Sequence, residues 1–175
     1  MFVAAYWSQR KEPKESASAR VAAFLTALQG QGEEFSTWYG KGKSRAEALR
    51  SPIALDAASI AMRLNSNRRS VDHQPIPDLG FRFSAWNGSR ASFSATLGSW
   101  NKDLRNTAVF DIGNDDHHSR DWYRSVLEAM VHAFDPDHAV VTSDAHLSER
   151  GALNPWETGI FTYQRGGVIE AHDVE

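Results

Sequence analysis

Apolar and polar positions repeat with two different periods along this chain, and the period separates expected helices from expected strands. Residues 2–7 form a short, mostly apolar run that is typical of a buried strand. Apolar side chains then recur at helical spacing over residues 16–29, and Gly30 is well placed to end that helix. A second helical stripe over residues 122–134 predicts a long helix that ends before Pro136, which cannot continue it.

The clearest strand signal lies just before the dipeptide Asn87-Gly88. Phe81 and Phe83 alternate with polar residues up to Trp86, and a second alternating run follows over residues 90–98. Asn-Gly between two alternating runs is the strongest short-range signal of a hairpin, since both residues tolerate the positive φ of a type I′ turn. The pattern therefore predicts a hairpin in which Trp86 lies on the face opposite Phe81 and Phe83.

Three further apolar runs, over residues 107–112, 138–142 and 159–163, predict additional strands, and Asp56 is placed to cap a short helix. Strands in hairpin order, with helices before and after them, are typical of an α+β fold. A chain of 175 residues fits one core, and such a domain buries roughly 70% of the surface of the unfolded chain. We therefore expect one α+β domain over residues 1–175, with a mainly antiparallel sheet of about five strands and helices packed on it.

One segment carries part of a phosphate-binding motif. Gly42-Lys43-Ser44 matches the last three positions of that motif, but Thr37 stands where its first glycine is required. A Cβ at that position crowds the backbone turn that approaches a phosphate. The spacing of Ser44 and Glu47 fits a capping box instead, and Pro52 limits the helix that follows. The segment therefore predicts a loop that leads into a short helix.

Composition excludes several classes of site. The chain has no cysteine, which excludes disulfides, thiolate metal sites and cysteine nucleophiles. Its first residues lack the basic and apolar segments of a signal peptide, and no run approaches the roughly 20 apolar residues that span a bilayer. We therefore expect a cytoplasmic protein, and no motif indicates a cofactor.

Charge is distributed unevenly. Residues 1–90 carry 13 Lys+Arg against 8 Asp+Glu, whereas residues 91–175 carry 6 against 14. The acidic second half fits either a basic partner or a solvated surface that aids solubility. Basic residues near Lys41 and Asn67-Arg68-Arg69 give some support for nucleic-acid binding, but the pI near 6.2 opposes it. We expect no direct binding to nucleic acid.

A group of Asp and His side chains is the candidate metal site. Its members are Asp111, Asp115, Asp116, His117, His118 and Asp121, with Asp144 and His146 as later additions. Carboxylate and imidazole ligands suit Zn²⁺, Mn²⁺ or Fe²⁺, but the spacing matches no established pattern. A solvated loop, with Asp121 complementing a helix dipole, is the simpler interpretation. The chain also has no G-x-S-x-G motif, so we expect a binding protein without catalytic or metal-binding residues.

Four segments together resemble the immunity protein 52 family of bacterial polymorphic toxin systems. They are Ala5-Tyr6-Trp7, the block from Trp38 to Leu49, Asn67-Arg68-Arg69, and the stretch from Leu79-Gly80-Phe81 to Trp86-Asn87-Gly88. The resemblance implies an α+β protein that binds and silences a cognate secreted toxin inside the producing bacterial cell. Such toxins typically carry a restriction-endonuclease-like nuclease domain, as in effectors of type VI secretion. The resemblance supplies no catalytic or toxin-contact residues.

Under this interpretation the acidic half supplies the partner-binding surface. An acidic surface competes for the basic groove that a nuclease presents to nucleic acid, and tryptophans often anchor interfaces. Trp7 and Trp122 are expected in the core. The predicted partner-binding residues are Asp115, Asp116, Asp137, Asp144, Glu157, Trp86 and Trp156. The alternative is a small metal-dependent enzyme that uses the cluster over residues 111–121.

Overall fold

The fold is α+β, built on one large antiparallel sheet. The computed structural model describes residues 1–66, 76–113, 118–143, 156 and 159–172. Its strands are β1 Phe2–Trp7, β2 Trp38–Tyr39, β3 Pro52–Ile53, β4 Asn65–Ser66, β5 Phe81–Trp86, β6 Ser92–Leu97, β7 Asn106–Asp111, β8 His138–Thr142, β9 Phe161–Gln164 and β10 Glu170–Ala171. Nine of them lie in the order β10-β9-β8-β1-β7-β6-β5-β2-β3, and β4 pairs with β5.

The predicted number of about five strands was wrong. The strands that the pattern did not reveal are β2, β3, β4 and β10, and each has only two residues. An alternation of apolar and polar residues needs about four positions before it indicates a strand. These short strands form by pairing with neighbours, which extends the sheet beyond the central strands.

Four helices occur in the described part of the chain. They are α1 Lys14–Gln29, α2 Arg45–Ala48, α3 Ala57–Arg63 and α4 Arg120–Phe134, and short 3-10 turns lie at Glu33–Phe35 and Pro77–Leu79. Helix α1 packs against both α3 and α4, and α4 packs against β1 and β8. Helices α1, α3 and α4 therefore lie together on one face of the sheet.

Alternation along the strands explains which side chains meet the helices. On β1, Val3, Ala5 and Trp7 are buried in the core, which includes Trp7 as predicted. Trp122 differs from the prediction, because it is only partly buried at the border of the core. Its indole Nε1 donates to the carbonyl of Gln31 at 3.2 Å.

The hairpin of β5 and β6 has the predicted strands but a different turn. Its loop spans residues 87–91, and Gly88 has a φ of +83° while Asn87 does not have a positive φ. The Oδ1 atom of Asn87 accepts hydrogen bonds from the backbone N–H groups of Ser89 and Ala91, each at 3.0 Å. The asparagine side chain thus takes the place of a backbone acceptor, which stabilises a longer loop than a type I′ turn.

The predicted cap of α2 is half formed. Ser44 Oγ accepts a hydrogen bond from the Glu47 N–H at 3.2 Å, as a capping box requires. The Glu47 carboxylate accepts from the N–H of Lys43 at 2.8 Å rather than from that of Ser44. The loop before α2 is therefore held at two adjacent residues.

Candidate functional site

The face of the sheet turned away from α1 and α4 is called the open face here, and on its β1–β8 part Ala4, Val140 and Thr142 are buried. Over β5, β6 and β7 every residue on it is exposed or half-buried. These residues are Arg82, Ser84, Trp86, Ser92, Ser94, Thr96, Thr107, Val109 and Asp111. Their neighbours along each strand point the other way, into or beside the core. The open face is thus a broad surface, rich in hydroxyl groups, on a rigid antiparallel sheet.

Trp86 lies at one side of the open face and is held in place on three sides. Its Nε1 donates to the carbonyl of Ser89 at 2.9 Å. Its ring lies 6.4 Å from that of Tyr39, its cross-strand neighbour on β2, and the Arg45 guanidinium lies 5.7 Å from the ring centroid. The side chain is half-buried, so part of the indole remains accessible on a pre-ordered support.

Trp156 lies over the β1–β8 part of the same face. Its ring stacks on His138 at 5.4 Å and tilts against Tyr6 at 5.3 Å, and these two residues are cross-strand neighbours. The guanidinium of Arg105 lies 4.5 Å from the ring centroid. Burial raises the pKa of Tyr6.

The two tryptophans therefore share one face. Trp86 belongs to β5 and Trp156 contacts β1, and β6 and β7 lie between these strands. Three strand spacings of 4.7–4.9 Å correspond to about 14 Å across the sheet. Both indoles thus fall within the footprint of a standard interface, which covers about 800 Å² on each partner.

A cleft of about 610 Å³ continues the open face toward β10. Its lining includes His138, Trp156, Thr162, Gln164, Arg165 and His172. His172 Nε2 and Thr162 Oγ1 form a hydrogen bond at 2.8 Å, and Arg120 donates to the carbonyl of His172 at 2.8 Å. The lining also includes Glu170 of β10, so the cleft adds polar groups and charges of both signs to the face.

The model of one protein family, described as Immunity protein 52, matches residues 1–168. The chain belongs to the immunity protein 52 family. A comparison with curated proteins finds no match. All the segments that suggest the resemblance lie in the first half of the chain. The family match also covers most of the second half.

The described members of the candidate metal cluster have other contacts in this immunity protein 52 family member. The Asp111 carboxylate accepts from the N–H of Gly113 at 2.8 Å, and His118 stacks on Trp122 with ring centroids 3.8 Å apart. Asp121 lies in the first turn of α4, where it complements the helix dipole. Among the described residues, no group of three or more His, Asp or Glu side chains could hold a metal ion.

Several of the predicted site residues lie outside the described residues. These are Asp115, Asp116, Asp144 and Glu157 of the partner-binding set, and His117 and His146 of the metal cluster. Asn67-Arg68-Arg69 also lies outside. Their assignments therefore stay predictions. No helix in the part of the chain that the structure describes is long and apolar enough to cross a membrane.

Asp137 is described, and its carboxylate is held by neighbouring groups. It accepts hydrogen bonds from Ser8 N at 2.7 Å and Ser8 Oγ at 2.6 Å, and it pairs with Arg165 Nη1 at 3.1 Å. Burial by itself raises the pKa of Asp137. The hydrogen bonds from Ser8 and the positive charges of Arg165 and Arg10 lower the pKa by more than burial raises it, so the pKa lies below its ordinary value. Its contacts join the end of β1 to the loop after α4.

We expect Asp137→Ala to reduce the free energy of unfolding by about 1–2 kcal/mol at pH 7, because charged hydrogen bonds are lost at a partly exposed site. Since the pKa is lower in the folded state, the stabilisation is present above the unfolded pKa near 3.9 and is lost as the pH falls through the folded value. Urea unfolding at several pH values measures this. Asp103→Ala, at an exposed aspartate, is the control. A difference that persists at the lowest pH would contradict the assignment.

Proposed function

We propose that this chain binds and neutralises a cognate secreted bacterial toxin and so protects the cell that produces it. The family match supports this proposal, and the observation that carries it is the open face with Trp86 and Trp156 on one sheet surface. A polar surface with a few aromatic residues is typical of interfaces between separately folded proteins. Its breadth suits a protein partner better than a small substrate.

We further propose that the toxin is a nuclease with a restriction-endonuclease-like domain. A nuclease must present a basic groove to its nucleic acid, and the second half of this chain carries 14 Asp+Glu against 6 Lys+Arg. Opposite charge on the two proteins would accelerate association and compete with the nucleic acid. The chain itself would act by binding, without catalysis or a cofactor, in the cytoplasm of the producing cell.

Titration calorimetry with the toxin domain encoded beside its gene tests this function, with nuclease activity followed on the same samples. We expect a fixed stoichiometry, a dissociation constant on the order of nanomolar and loss of nuclease activity. Absence of binding would contradict the proposal. A transition metal retained at one per chain after dialysis would instead favour the metal-dependent enzyme.

Reversing the charge of Asp115 and Asp116 should slow association with the toxin about 10-fold at low salt and weaken its salt dependence, because electrostatic steering is lost. Stopped-flow measurements at several salt concentrations follow the association rate. The matched control reverses Glu15 and Asp103, two exposed acids from other parts of the chain. Equal kinetics for the Asp115→Lys/Asp116→Lys variant and the unaltered protein would remove that loop from the interface.

A further inference from the structure

A basic groove lies at the β2–β5 side of the open face. It consists of two adjoining hollows of about 410 and 320 Å³ that share Gly40 and Lys41. Its side walls include Lys41, Arg45, Arg63, Arg82, Ser84 and Trp86. Four separate segments supply these residues, and none of the residues predicted as partner-binding except Trp86 belongs to it.

Close backbone packing shapes the groove. Gly40 is buried and donates its N–H to the carbonyl of Ser51 at 3.0 Å, and a Cβ at Gly40 would come within 2.6 Å of Arg63 Nη1. A Cβ at Gly42 would come within 2.6 Å of the backbone nitrogen of Ala48. The glycines therefore allow the loop to lie close to α2 and α3, which leaves Lys41 exposed in the groove.

Arg63 is pre-positioned by neutral acceptors. Its Nη1 donates to Ser51 Oγ at 3.1 Å, and its Nη2 donates to the carbonyl of Pro52 at 3.0 Å. Hydrogen bonds to neutral groups hold the guanidinium without cancelling its charge. A planar, held guanidinium loses little freedom when it binds a carboxylate.

The cations of the groove have no carboxylate partner within the described residues. No ion pair within 4.0 Å joins Lys41, Arg63 or Arg82 to an Asp or Glu there. Other arginines differ, because Arg10 and Arg165 both pair with Asp135. An uncompensated cluster of like charges raises the local concentration of anions.

We propose that the basic groove receives an acidic segment of the toxin, whose carboxylates pair with Arg63, Arg82 and Lys41. This inference rests on the proposed function and names a second contact within it. The planar guanidinium of an arginine can bind a carboxylate through two parallel N–H···O hydrogen bonds. The hydroxyls of Ser84 and Ser94, on the adjoining open face, can bond the polar groups of the same segment.

An acidic protein segment fits the groove better than a nucleic acid does. The chain has a net charge of −3, which opposes a long polyanion. A short segment with a few carboxylates requires only the local charge of the groove.

The test reverses two charges in the groove. We expect Lys41→Glu/Arg82→Glu to weaken toxin binding at least about 10-fold in calorimetry, since like charges then face each other across the interface. Both side chains are exposed, so folding should be unaffected, which circular dichroism checks. Lys41→Gln/Arg82→Gln removes the charges without adding acids and should give a smaller loss in the same direction. The matched control Lys14→Glu/Lys102→Glu makes the same charge change outside the groove and should bind within about twofold of the unaltered protein.

The outcomes separate this inference from the proposed function. Equal toxin binding by the groove variants and the unaltered protein would overturn the inference and leave the function intact. Equal losses in groove variants and control would show a general charge effect and would also overturn it. If the unaltered protein does not bind the toxin, both the function and the inference fail. Binding of a labelled single-stranded or duplex oligonucleotide, lost in the groove variants while toxin affinity is kept, would identify a nucleic-acid site instead.

Discussion

Replacing Phe24 by alanine is expected to lower the free energy of unfolding by about 3–5 kcal/mol. Phe24 of α1 is fully buried, and its ring lies 5.0 Å from Phe93, 6.1 Å from Phe110 and 5.7 Å from Phe134. These contacts join α1 to β6, β7 and α4. A domain of this size is stable by about 5–15 kcal/mol, so the variant would retain only part of its stability. Urea unfolding followed by circular dichroism measures the loss.

Two substitutions control for this effect. Phe2→Ala removes the same side chain at a half-buried position outside the core, so its cost should be clearly smaller. Phe24→Leu keeps most of the volume and should cost less than about 1.5 kcal/mol. Equal losses for Phe2→Ala and Phe24→Ala would contradict the central position of Phe24.

Helix α1 and strand β8 were predictable because each lies in a segment with a clear pattern, a helical repeat in one and a continuous apolar run in the other. The helix predicted over residues 16–29 is α1, Lys14–Gln29, and the strand predicted over residues 138–142 is β8, His138–Thr142. The four two-residue strands depend on pairing with distant neighbours. The turn at Asn87 depends on which atom accepts the hydrogen bonds, and a dipeptide does not determine that.

The candidate site was only partly predictable for the same reason. Alternation along β5 places Trp86 on the face away from Phe83, as expected. That Trp156 shares this face follows from the order of strands in the sheet, which no local pattern contains. The basic groove could not be predicted from the sequence, because Lys41, Arg63 and Arg82 come from three separate segments that only the fold brings together. The charge counts place Asp137 in the acidic half of the chain, but they do not indicate its contacts with Ser8 and Arg165.

Replacing either Trp86 or Trp156 by alanine is expected to weaken toxin binding by about 30-fold or more, which corresponds to about 2 kcal/mol. Each indole is half-buried and held by neighbouring rings and a guanidinium, so little freedom is lost when a partner covers it. Tryptophans in this setting often carry a large share of binding energy. Calorimetry with the toxin domain measures the affinity of each variant.

Trp100→Ala is the matched control for these two variants. Trp100 has an exposed fraction of 37% and contacts Lys11 rather than the open face. Its replacement should leave toxin affinity within about twofold, because it removes an indole that lies away from the interface. If all three variants bind alike, the open face is not the contact surface. If only Trp86→Ala weakens binding, the interface is confined to the side of the face that holds the basic groove, and the β1–β8 side lies outside it.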